Sequence, residues 1–329
     1  MINNIRNNLK SAGPVFYRNI FSILILAVIV IFFVIKAPGF LSYDSLVNII
    51  RSSVVLIVVA LSATVLLVSG NIDLSVGSIL ALTCVSFAML ARMGLPLILG
   101  LIISTIAGAV IGLINSLLVV NLRINSVIAT LGTLYFVRGI AYIIMGEERS
   151  ILPGVASFSF LGRGFLGPIP FQAIIIIFFI ILFFTLEKKS LLWKYSVAIG
   201  CNRVAATLSG INIKKIIGVL YLITGALAGF SGAVLASRLS VGQKFVGEGF
   251  EFDVIIAILL GGTSFRGGEG TTIGTVVGAF VVSILGIGLN MMGIASFYQY
   301  VIKGIILIVV VFSDKILRDK VLIRILAKQ

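Results

Sequence analysis

From Ile20 onward the chain is a succession of apolar runs of membrane-spanning length, separated by only a few polar residues. A bilayer hydrocarbon core needs about 20 apolar residues per helix. Ten stretches meet or approach that requirement: 20–36, 47–69, 73–91, 95–120, 125–145, 170–186, 216–237, 250–262, 271–290 and 296–313. In hydrocarbon every backbone amide must find its partner inside its own segment, so such runs become helices. With 329 residues, 60% hydrophobic and 11% charged, the chain carries more apolar surface than a soluble core can hide. The expectation is an all-α fold: a polytopic membrane helix bundle of about ten transmembrane helices with short loops. Segment 250–262 is the weakest span, since it begins with Glu251 and Asp253 and ends at Gly261-Gly262. It reads as a half-helix or re-entrant element, which sets the count at eight to ten. The longest polar connections, 146–169 and 187–215, are too short for an independent core, so 1–329 is read as a single transmembrane domain with no soluble domain.

Charge sets the orientation. Arg6, Lys10, Arg18, Arg123, the basic residues between Lys188 and Lys215, Arg266, and Lys315, Arg318, Lys320, Arg324 and Lys328 all fall on one side of a ten-span arrangement. The positive-inside rule makes that side cytoplasmic, with both termini there. Ile20 to Ile35 is longer than a signal core, and Ile35-Lys36-Ala37-Pro38 lacks a small-x-small cleavage site, so it reads as the first span. The net charge of +14 lies in loops and tails without interleaved exposed aromatics, which points to lipid headgroups and orientation and away from nucleic acid. With no His and two Cys, neither a disulfide framework nor a Cys/His metal site is expected.

Several of the 35 glycines sit within spans. Gly108 and Gly112, Gly225 and Gly229, and Gly274 and Gly278 form G-x-x-x-G pairs, a close-packing signal for helices in lipid. Polar residues at membrane depth are more specific. Ser69-Gly70-Asn71-Ile72-Asp73-Leu74-Ser75-Val76-Gly77-Ser78 interrupts two apolar runs. Asp73 either caps the next helix, accepting from its first-turn amides, or shapes a gate beside a transport pathway; the two roles are compatible. Arg138 and Lys303 lie within spans, where an unpaired cation costs roughly 2.5–3.5 kcal/mol, so each snorkels outward or finds a partner. Glu248, Glu251 and Asp253 fall on the same external side, available to pair with them or to meet a docking protein.

The loop 198–211 is a polar, basic island that something outside the membrane must read. Its pattern G-x-N-x-x-A-A-x-x-S-G-I resembles the coupling loop of ABC importer permeases, in the branch that carries ribose and other sugars. G-N-I-D-L-S-V-G-S over 70–78 resembles that family's signature after its second span, with Asn71 where glycine is usual. N-L-R-I-N-S-V-I-A-T-L-G-T-L over 121–134 with Arg138-Gly139 resembles a further block, although Asn125 and Ser126 replace a proline and its neighbour. The stretches 247–257, 260–264 and 267–270 complete five motifs in family order from about Gly39 to Asp314. The resemblance implies a permease working in the bacterial inner membrane as a homodimer or heterodimer, with ABC ATPase subunits, separate or fused in tandem, and an external solute-binding protein. It implies that Gly200, Asn202, Ala205, Ala206, Ser209 and Gly210, in the cytoplasmic coupling loop 187–215, dock on the ATPase. It places Asn71, Asp73, Ser75, Ser78, Asn125, Thr130 and Arg138 along the pathway or its gate. Glu248, Glu251, Asp253 and Lys303 then serve binding-protein docking or the pathway.

Leu239-Ser240-Val241-Gly242-Gln243 looks like the L-S-G-G-Q signature of an ABC ATPase, but the chain has no G-x-x-x-x-G-K-[ST] phosphate loop, and 267–270 lacks the βαβ context of a dinucleotide site. No cofactor is therefore expected in this chain, with ATP and Mg held by the partner ATPase. Enzyme chemistry lacks its constellations, having no histidine and only Asp73 placed deep, so no catalytic residue is assigned. The competing readings are an ion-coupled secondary carrier, or the same family carrying a nucleoside, inositol or a furanosyl signalling molecule.

Overall fold

The computed structural model describes residues 14–326, with side chains from Ser22 to Phe312. Twelve helices are named in chain order: α1 (Pro14–Lys36), α2 (Tyr43–Val68), α3 (Val76–Arg92), α4 (Leu97–Ser116, continued by a π-helical turn Leu117–Asn121), α5 (Ser126–Met145), α6 (Phe171–Lys189), α7 (Leu191–Cys201), α8 (Arg203–Leu208), α9 (Ile213–Leu239), α10 (Phe250–Leu260), α11 (Thr272–Met291) and α12 (Ser296–Leu326). Between α5 and α6 lie two short helical turns and a ribbon pairing β1 (Phe165–Leu166) with β2 (Ile169–Pro170) antiparallel. Apolar runs supply the helix interiors, and side-chain caps set their starts. Asn125 Oδ1 accepts from Val127 N, Ser190 Oγ from Leu192 N, Asn202 Oδ1 from Ala205 N, and Asn212 Oδ1 from Lys215 N.

Among the described residues six helices are long and apolar enough to cross a membrane: α2, α4 with its π turn, α5, α6, α9 and α11. The expected spans at 20–36, 73–91 and 296–313 correspond to shorter apolar helical runs over 22–36, 76–92 and 296–312. α12 continues to Leu326, beyond the expected end of the last span. Segment 250–262 is the half-helix α10, whose 11 residues rise only about 16 Å. Arg6, Lys10 and Lys328 lie outside the described residues, as do the side chains of Arg18, Lys315, Arg318, Lys320 and Arg324.

α2 is the central helix: 83% of its most apolar window is buried, against 28% for α4, α5 and α6. Those three turn Ile98, Ile106, Tyr135, Phe136, Ile143, Ile177 and Phe178 outward, as helices facing lipid do. The glycine pairs meet one another. A Cβ on Gly108 would strike the Gly225 carbonyl and Gly229, and one on Gly225 would strike the Gly108 carbonyl and Gly112, so α4 and α9 touch backbone to backbone. α11 uses Gly274 and Gly278 in the same way against Gly261 and Ala257 of the α10 end. Thr64 and Thr275 hydroxyls bond at 2.7 Å between α2 and α11.

The connection 240–249 folds back into the bundle. Gly242 exchanges both backbone hydrogen bonds with Ile151 at 2.9 Å and packs against Ala88, whereas Gly247 lies against Gly77 at the start of α3. The segment therefore descends along α3 for about three turns before α10 begins inside the bundle, which makes α9, 240–249 and α10 an interrupted transmembrane path.

Candidate functional site

The interruption between α2 and α3 builds a buried polar core. Asp73 Oδ1 accepts from the Ser75 amide at 2.8 Å and the Ser75 hydroxyl at 2.6 Å. Asn115 of α4 donates through Nδ2 to both Asp73 oxygens at 3.2 Å and to Ser75 Oγ at 2.8 Å. Leu74 N donates to Thr130 Oγ1 at 3.1 Å, the Tyr221 hydroxyl to the Ile72 carbonyl at 3.1 Å, and Ser78 Oγ to the Ser75 carbonyl at 2.8 Å. The capping role expected of Asp73 takes another form. Ser75 occupies the N-cap of α3 but its side chain caps none of the helix amides, and Asp73 closes the turn ahead of it. Its charge is balanced by donors from α4 and from its own turn, all taken out of solvent.

A cleft of about 740 Å³ opens beside this core. Asn71 and Asn125, expected along the pathway, both line it, together with Arg123, Arg203, Asn212 and Lys214. Asn71 donates through Nδ2 to Ser69 Oγ at 3.1 Å. Asn125 caps α5, so the departure from proline at this position gives a helix start after the π turn of α4 instead of a kink. Asp73, Ser75, Ser78 and Thr130 are buried and, like Arg138, do not line the cleft.

The cations within spans have found partners. Arg138 donates to the carbonyls of Lys244, Val246 and Gly247 at 3.2, 2.6 and 3.1 Å, which ties α5 to the descending segment, and its charge also acts on the Glu251 carboxylate. Lys303 of α12 pairs with Asp253 of α10 at 2.7 Å. Glu248 accepts from the Tyr142 hydroxyl at 3.3 Å, and Glu251 is buried against Gly77 with Oε2 unpartnered.

In the 187–215 segment, α7 packs against the bundle end and α8 stands outward. A Cβ on Gly200 would meet the Val68 carbonyl and Gly268, and Ala206 is 3% exposed. Gly200 lets α7 pass close to the backbones of Val68 and Gly268, and Ala206 is packed within the chain. Asn202 serves as the α8 cap, Gly210 ends the helix at φ +81°, and Ala205 and Ser209 are exposed. Val204 and Leu208, absent from the expected set, project from α8 at 71% and 84% exposure.

The family model of the branched-chain amino acid transport system permease component matches residues 45–311. The chain belongs to this permease family. Its relatives include the ribose import permease protein RbsC of Bacillus subtilis (strain 168), 36% identical over 88% of this chain and 90% of that protein. The probable ABC transporter permease protein YphD of Escherichia coli (strain K12) is 32% identical over 91% of this chain and 90% of its own. The galactose/methyl galactoside import permease protein MglC of the same organism is 34% identical, over 89% and 92%. No solved structure matches. In this permease the sequence reading missed Asn115 and Tyr221, although an amide inside the apolar run 97–121 was a visible signal.

Proposed function

We propose that this permease forms the translocation pathway of an ABC importer for a small sugar, a pentose or related monosaccharide, delivered by an external solute-binding protein. Relatives named as ribose and galactose/methyl galactoside import permeases and as an L-arabinose ABC transporter permease, each aligned over most of the chain, carry that reading. A separate ATPase binds ATP and Mg and docks on the outward face of α8, where Val204, Ala205, Leu208 and Ser209 project from the chain. A second permease copy completes the pathway, and both termini are cytoplasmic. Asn71 and Asn125 offer amides to sugar hydroxyls at the cytoplasmic mouth.

Uptake of labelled ribose, arabinose and galactose in membranes holding this chain, its ATPase and its binding protein tests the reading. ATP-dependent accumulation of one of them is expected, abolished by removing the phosphate-loop lysine of the ATPase. Accumulation by proteoliposomes of this chain alone under a proton or sodium gradient would establish a secondary carrier instead.

A further inference from the structure

At the end of the bundle opposite α7 and α8, three arginines converge and none meets a carboxylate. Arg51 lies two turns into α2, Arg238 in the last turn of α9, and Arg163 in the short helical turn ahead of β1. Arg51 Nη2 donates to the Arg163 carbonyl and Arg163 Nε to the Arg238 carbonyl, each at 2.6 Å, and Arg238 Nη1 reaches Ser52 Oγ at 3.2 Å. Arg163 and Arg51 both repel the Arg238 charge. Arg51 also lies 4.9 Å over the Phe165 ring, and its Nε is buried with no acceptor. Among the described residues none of the three forms an ion pair, while Arg92 at the same end holds Glu148 at 2.9 Å. Like charges gathered in this way are unfavourable unless an anion joins them, and guanidinium forks match phosphate oxygens.

The surroundings identify the anion's carrier. Phe160, Phe165, Leu166 and Ile169 are exposed around the cluster, and Tyr43 donates its hydroxyl to the Pro168 carbonyl at the tip of the ribbon. α6 starts at Phe171 and continues outward-facing with Ile177 and Phe178. Cations ringed by exposed aromatic and aliphatic side chains at the end of spanning helices suit the headgroup zone of a bilayer. A soluble anion would leave those apolar side chains in water. We propose that Arg51, Arg163 and Arg238 bind the phosphate of a membrane phospholipid in the outer leaflet, with its acyl chains lying over Phe165 and α6. The site depends neither on the transported solute nor on ATP coupling.

Native mass spectrometry of the full-length chain in mild detergent reads the site directly. With added phosphatidylglycerol the wild type retains bound lipid, and with monogalactosyldiacylglycerol, which lacks phosphate, it does not. Arg163→Gln is expected to retain about tenfold less phosphatidylglycerol, the loss of one charge-assisted contact. Arg163 is exposed, and glutamine still reaches the Arg238 carbonyl; an unchanged lipid-free melting temperature verifies the fold. If that variant fails to fold, Arg163→Lys, which keeps the charge and loses the fork, is expected to show a smaller loss of retention. Equal retention by wild type and the folded variant overturns the proposal, above all if binding of an external protein falls instead, since the arginines would then be a protein-docking face. Displacement of the lipid by inorganic phosphate also overturns it, in favour of a free-anion site.

Discussion

Asp73 and Asn115 show how one buried carboxylate is held. Four hydrogen bonds from three donor groups converge on Asp73, and Asn115 supplies two of them. Asn115→Asp would set a second carboxylate against the first, and we expect it to cost about 3–5 kcal/mol, the scale of an uncompensated buried charge. Asn115→Leu only removes a donor and should cost about 1–3 kcal/mol. Thermal unfolding of the purified chain separates the two. Asp73→Asn keeps the shape, and its amide can meet the unpartnered Oδ1 of Asn115 once that side chain flips. Normal membrane abundance with strongly reduced uptake is expected; normal uptake would leave Asp73 only the closure of its turn. The same logic applies to Lys303 and Asp253, which are 25% and 19% exposed. Lys303→Met alone should lose about 3–5 kcal/mol, and Lys303→Met combined with Asp253→Asn should recover most of it. Melting temperatures of the single and double variants measure the recovery.

Helices in this chain are placed by what their glycines permit. α4 and α9 approach through Gly108, Gly112, Gly225 and Gly229, whose added Cβ atoms would all strike backbone. Backbone cannot rotate away as a side chain can, so Gly108→Ala should destabilise by about 1–3 kcal/mol. Gly286 of α11 has open space around its Cβ direction, and Gly286→Ala should be neutral or stabilise by about 0.5–1 kcal/mol through helix propensity. A matched pair of melting curves tests the contrast, and equal effects would deny the close α4–α9 contact. The G-x-x-x-G pairs were legible in the sequence as a packing signal, but their pairing was not. Spacing along one helix says nothing of which helix faces it. The short α10 was likewise anticipated from the acidic start and Gly261-Gly262 end of 250–262, while the descent of 240–249 along α3 depends on Gly77 and Gly247 meeting across the fold.

If an ATPase docks on the outward face of α8 as proposed, force would pass there between ATPase and permease. Leu208 and Val204 are apolar side chains that gain most from burial in a partner. Leu208→Asp should weaken ATPase retention on purification by about 2 kcal/mol, the scale of an interface hot spot, and lower uptake while the chain still inserts normally. Ala206→Arg should instead reduce the amount of chain in the membrane, because Ala206 is packed inside. Coupled uptake with retained ATPase in Leu208→Asp would remove α8 as the contact.

The sequence by itself determined the helical membrane class, most span positions, the half-helix and the motifs at Asp73, Asn125 and 198–211, because length, hydropathy and capping act within a few residues of chain. Tertiary structure alone decided that Asp73 is bound by Asn115, that Arg138 holds carbonyls while Lys303 holds Asp253, and that Gly200 and Ala206 face inward and leave Val204 and Leu208 outside. Each of these depends on which groups meet across tens or hundreds of residues, where packing selects among partners that local chemistry leaves equivalent.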